Sequence, residues 1–217
     1  MTKTEEKVLD LVSSGKITPA EGDELLKALA ARQRRSWRWI INPTERLSVP
    51  QSLLLGAAGV FGGLLLSRWN VHFDGALDVH LGPSSPSFAR VVIEQIVAWP
   101  LTAGVFWLAA LAFVRRARAI DFLASVGVAR LPLLAVGAMA AAMKDRLPSR
   151  PTEVPSATPA LLILAALSLP AVVWTITLLF QGFRTASGLR GTRCGVLFAA
   201  AVVLAEVLSK VALLFTS

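Results

Sequence analysis

At 217 residues, 54% hydrophobic and only 17% charged, with a mean hydropathy of +0.61, the chain is too apolar for an ordinary soluble domain. Its formal charge of +8 comes with no aromatic or base-reading module, which argues against nucleic acid as a partner and leaves anionic lipid headgroups as the simpler one. Cys194 is the single cysteine, so an internal disulfide and a thiolate metal centre are both excluded.

Residues 4 to 31 predict a helical hairpin. Val8, Leu11 and Val12 share one face of the first helix, and Leu25, Leu26 and Leu29 share one face of the second. Gly15 suits the left-handed position that ends a helix, and Thr18-Pro19-Ala20-Glu21 supplies an N-cap, an N1 proline and a capping-box glutamate. So small a hairpin buries little apolar surface, and those six side chains are the expected contact face for a partner or a second copy. Domain 1–31 is therefore expected to be a cytosolic hairpin that packs on itself, on a copy or on a partner, with a solubilising extension as the alternative reading. Residues 32–48 form a basic and aromatic linker in which Arg34, Arg35, Trp37, Arg38 and Trp39 are placed to sit in the lipid headgroup layer.

Domain 49–217 holds five apolar stretches, at about 49–67, 92–114, 120–143, 159–180 and 194–215. Crossing a hydrocarbon core of about 30 Å takes roughly 20 residues of helix, and lipid offers unpaired backbone groups no partner. The expected fold class is all-α: a polytopic membrane protein with five transmembrane helices preceded by a cytosolic helical hairpin. Lys and Arg crowd residues 1–48 and the loops after the second and fourth spans (Arg115, Arg116, Arg118; Arg184, Arg190, Arg193). The other loops are poorer in them, which puts the N-terminus in the cytoplasm and the C-terminus outside. A cleaved secretory signal is not expected, because the first apolar stretch starts only near residue 49.

Within the first span, Gly59 and Gly63 have the spacing that lets helices approach closely. The loop between the first two spans carries both histidines. On an extended segment His72, Asp74, Asp78 and His80 share one face, and a turn at Asp74-Gly75 would instead gather them across a hairpin. These four are the candidate metal ligands, although their spacing matches no established signature and a surface strand accounts for it as well. Pro100, Pro132 and Pro170 each remove a helical hydrogen bond from a span and favour a kink. Arg130, Glu206 and Lys210 lie inside spans, and Glu94 lies near the mouth of the second. An unpaired charge at mid-membrane costs about 2.5 to 3.5 kcal/mol, so Glu206 is expected to pair with Lys210 one turn away, and Arg130 with Glu206 by depth.

Two resemblances follow from these residues. Glu5 to Val12, Gly15 to Glu21 and Glu24-Leu25-Leu26 resemble the SHOCT-like helical module of bacterial membrane and envelope-stress proteins, which implies oligomerisation or protein contact. Phe122 to Pro132, Trp174 to Arg184 and Asn42-Pro43 resemble the Yip (Ypt-interacting protein) domain family of five-span proteins. The acidic aromatic DLYGP motif of eukaryotic members is absent and Val128 stands where the family has tyrosine, so a bacterial type in the cytoplasmic (inner) membrane is implied. The expected function is a non-enzymatic membrane scaffold or adaptor that anchors the hairpin; the alternative is a small transporter or channel using Arg130, Glu206 and Lys210. No enzyme activity, catalytic residue or cofactor is expected, because neither a zinc-protease helix nor a nucleophile–histidine pair lies in the spans.

Overall fold

The computed structural model describes residues 3–82, 86–146 and 159–215, and the chain separates into two compact units, Met1–Pro43 and Thr44–Ser217. In the first unit α1 (Lys3–Ser13) and α2 (Pro19–Ile41) are joined by a tight turn. Gly15 takes φ +68°, and the Lys16 N–H reaches back to the Leu11 carbonyl at 3.0 Å, closing the end of α1. At the start of α2 the Thr18 N–H donates to Glu21 Oε2 at 2.8 Å and the Glu21 N–H donates to Thr18 Oγ1 at 3.3 Å, a reciprocal capping box. The Thr18 N–H, joined by the Thr18 hydroxyl donating to the same oxygen at 2.8 Å, holds the Glu21 carboxyl below its ordinary value. Val8 is buried, and Val12 lies over Gly22, where a Cβ would collide with it. The second helix continues to Ile41, so the segment expected as a linker from residue 32 begins as helix. The side chains of Arg34, Arg35, Trp37, Arg38 and Trp39 lie outside the described residues.

Among its described residues the second unit carries five helical stretches long and apolar enough to cross a membrane: Val49–Trp69, Phe88–Leu111, Ala119–Met143, Leu162–Ser187 and Gly191–Leu214. The count agrees with the expectation, and the bounds differ by a few residues, most at the fourth span, which continues to Ser187. Large apolar side chains face outward along the spans, among them Leu54, Phe61, Leu108, Leu169 and Val203. In water such a surface would drive association, and in lipid it is the solvated face.

The first span, α3 (Val49–Leu66), starts at a capping box in which Ser48 and Gln51 bond reciprocally, with Pro50 in its first turn. Gly56 and Gly63 are buried against Trp99 and Gln95 of the second span, and Gly59 faces Leu131 and Leu134 of the third. The small-residue face is thus used inside the bundle.

Two of the three prolines interrupt their helices. Around Pro100 the second span passes from α4 (Phe88–Ile96) through a π-turn (Val97–Leu101) into α5 (Thr102–Leu111), and Thr102 Oγ1 bonds the Val97 carbonyl at 3.4 Å. The third span is cut at Arg130 between α6 (Ala119–Ala129) and α7 (Leu131–Met143), where Pro132 has no N–H to offer the preceding turn. Pro170 leaves α8 (Pro159–Ser187) unbroken. The last span is α9 (Gly191–Leu214).

α6 packs on α3, α5 and α8, and the third span is the most buried of the five. Toward the end where α3 begins, Phe106, Phe122, Phe183 and Phe198, from four different spans, meet edge-on or tilted with ring centres 5.5 to 5.9 Å apart. Opposite, at the end carrying residues 67–82, the bundle is tied by polar contacts instead. There β1 (Val71–His72) and β2 (His80–Leu81) pair antiparallel, a small departure from an all-α chain.

Candidate functional site

The strand pair sets His72 directly opposite His80, and their rings stack at 5.5 Å with an interplanar angle of 11°. Residues 73–79 fold over from this pair toward α9. Phe73 and Ala76 are buried beneath the loop and act as its apolar pegs. The loop is fixed at its crest by Glu206, whose Oε1 accepts the Leu77 N–H at 2.7 Å and which also bonds the Ala76 backbone. A Cβ at residue 75 would collide with Glu206, so glycine is what allows the backbone to come this close.

Around this frame the ionisable side chains form a connected chain. His80 lies between two carboxylates, with Nδ1 at 3.4 Å from Asp78 Oδ1 and Nε2 at 3.8 Å from Asp74 Oδ2. Lys210 bonds Asp78 and lies 3.9 Å from Asp74. On the other side of the stacked rings, His72 Nδ1 meets Glu94 Oε1 at 2.8 Å, Arg90 Nε reaches the same oxygen at 3.1 Å, and the Phe73 N–H meets Glu94 Oε2 at 3.4 Å. Glu94 is fully buried and His72 nearly so, whereas His80 and Lys210 are about half exposed. His80, with Lys210 beside it, holds the Asp78 carboxyl far below the usual carboxylate range against the opposing effect of burial.

The structure thus gathers all four residues named as candidate ligands, His72, Asp74, Asp78 and His80, and adds Glu94. Among the described residues, two triads have ligand atoms within 4.8 Å of one another: His72, Asp74 and Glu94, and Asp74, Asp78 and His80. The gathering follows the hairpin arrangement rather than the single extended strand.

The expected intramembrane cluster of Arg130, Glu206 and Lys210 is corrected. Glu206 turns to the loop backbone and Lys210 to Asp78 and Asp74, because the 73–79 loop descends onto α9 and offers closer partners than either has on its own helix. Arg130, 5% exposed, donates from Nη2 to Gln95 Oε1 at 3.1 Å, with its guanidinium 5.7 Å from the Phe73 ring centre. Gln95 was not singled out by the sequence, in which an uncharged residue beside Glu94 carries little signal. The Arg90–Glu94 pair has a legible signal, the i, i+4 spacing of opposite charges.

Of the six expected contact residues in the first unit, Val8 is buried, Val12, Leu26 and Leu29 are partly so, and Leu11 and Leu25 are exposed. Leu9 joins them in solvent.

Comparison with known proteins gives one family match, in which residues 4–34 fit the SHOCT-like domain. No curated protein and no solved structure matches the chain. The resemblance of the spans to the Yip family finds no support in these comparisons.

Proposed function

We propose that this protein is a non-enzymatic membrane scaffold whose five-span bundle, Yip-like in plan, anchors the SHOCT-like element for contact with a partner or a second copy. The observation that carries the reading is the pairing of a family match over residues 4–34 with exposed leucines, Leu9, Leu11 and Leu25, on a capped two-helix element. A soluble two-helix unit of this size gains from covering such side chains, at about 25 cal/mol per Å² of apolar surface removed from water. The transporter alternative has less behind it. Arg130 is buried against Gln95 and Phe73, and Lys210 is engaged with two aspartates at the end of its span.

The basic loops favour a bacterial inner-membrane protein with a cytoplasmic N-terminus and an external C-terminus. In that frame the SHOCT-like element faces the cytoplasm and the histidine loop faces outward. A reporter fused after Ser217 is active only on the outer side; activity on the inner side overturns the orientation or the five-span count. The contact function is tested by purification from native membranes in mild detergent, comparing the intact chain with Leu25→Asp/Leu29→Asp. The intact chain brings a stoichiometric partner or runs as a multimer, and the variant does neither. The same complex from both forms removes the basis for the proposal.

A further inference from the structure

Four carboxylates lie on or against the 73–78 loop, Asp74, Asp78, Glu94 and Glu206, and among the described residues the Lys and Arg side chains in contact with them are Lys210 and Arg90. The carboxylates outnumber these cations, and Asp74 is the one left incompletely satisfied: it belongs to both ligand triads, and its Oδ1 is buried with no hydrogen-bond partner among the described residues. A buried carboxylate oxygen without a partner is costly, so its presence calls for a ligand. The two triads differ in readiness. Glu94 is already bonded by His72, Arg90 and the Phe73 N–H and has no exposed surface. Asp74, Asp78 and His80 form a set open on one side, with Asp78 and His80 partly exposed.

We infer that Asp74, Asp78 and His80 form a binding site for a divalent cation of the zinc class on the loop end of the bundle. One imidazole with two carboxylates is a donor set that such ions accept. A tetrahedral ion with bonds of about 2.0 to 2.2 Å holds its donors about 3.3 to 3.6 Å apart. His80 can give one ring nitrogen to an ion, and with one donor from each residue the three ligand atoms lie within 4.8 Å of one another, so a small inward shift of the side chains closes the set. The surroundings also support the ligands. His72, held by Glu94, stacks on the His80 ring, and Glu206 fixes the Leu77 N–H next to Asp78, contacts that orient a ligand set before the ion arrives. Lys210 holds the place of the cation. Its half-exposed, flexible stem lets the ammonium swing into solvent when an ion of twice the charge enters.

The inference is independent of the role given to the SHOCT-like element. It is tested on the full chain in mild detergent, freed of any purification tag, stripped with chelator and titrated with zinc alone, with cobalt(II) as a spectroscopic substitute. Saturation near one ion per chain is expected, with a visible cobalt band of low-coordinate geometry. His80→Ala, at a half-exposed position where folding is not at stake, weakens binding by roughly tenfold or more. Lys210→Met strengthens it by about tenfold, since the competing cation is gone. A merely structural ion-pair network gives the opposite for Lys210→Met, a loosened loop and no ion uptake. Absence of saturable uptake, or uptake that both variants leave unchanged, overturns the site.

Discussion

The crossing of the first and third spans rests on two glycines and one tryptophan, and Gly127→Ala probes it. An ideal Cβ at residue 127 lies 2.9 Å from Trp99 Cε2 and Nε1 and 3.0 Å from Gly56 Cα, so neither side has room. The Gly56 backbone cannot retreat without opening the α3–α6 contact. The indole must therefore move, and its Nε1–H gives up the 2.7 Å bond to the Leu123 carbonyl. Overpacking costs about 1 to 3 kcal/mol, and a displaced hydrogen bond inside a bundle adds roughly 0.6 to 1.7 kcal/mol. The variant should lose about 2 to 4 kcal/mol. The assay is reversible unfolding from mild detergent into SDS, followed by tryptophan fluorescence, for which five of the six tryptophans remain when Trp99 is replaced. In a double-mutant cycle with Trp99→Phe, which is smaller and has no N–H to strand, the cost of Gly127→Ala should fall by about 1 to 2 kcal/mol. A loss below about 0.5 kcal/mol, or a cycle that is additive, would refute the close crossing.

Gln95→Leu strands the Arg130 guanidinium and should cost about 2 to 3 kcal/mol, while Gln95→Leu/Arg130→Met recovers at least half of it in the same unfolding assay. Equal losses in the single and double variants would show that Gln95 is not the partner that matters. Glu206→Ala should raise hydrogen–deuterium exchange at Ala76 and Leu77 and leave the spans unaffected, since it frees the loop crest alone. The Glu21 carboxyl has a lowered folded-state value, so its contribution to α2 is full above the unfolded value of 4.5 and fades as pH falls through the folded one. Exchange at Thr18 to Gly22 should therefore differ between the native chain and Glu21→Gln at neutral pH and converge in acid; a difference that persists below the folded value contradicts the capping role.

Length and hydropathy were sufficient for the five spans, because the bilayer imposes a minimum run of apolar helix whatever the helices pack against. Local chemistry was equally sufficient for the α1–α2 turn, since Gly15, Thr18 and Glu21 act within one turn of one another. The alternation of His72, Asp74, Asp78 and His80 already allowed a meeting across a hairpin, for strand pairing is a short-range choice.

Partnership of the buried charges was decided only in three dimensions. Matching Arg130 to Glu206 by depth treats spans as continuous helices, whereas the π-turn at Val97–Leu101 and the break at Arg130 alter the register at which side chains meet. Leu77 and Glu206 are 129 residues apart, and Asp78 and Lys210 are 132 apart. No pattern along the chain encodes such contacts. They arise where Phe73 and Ala76 bury themselves and draw the loop onto α9, so that tertiary packing, rather than sequence spacing, chooses the partner of each charge.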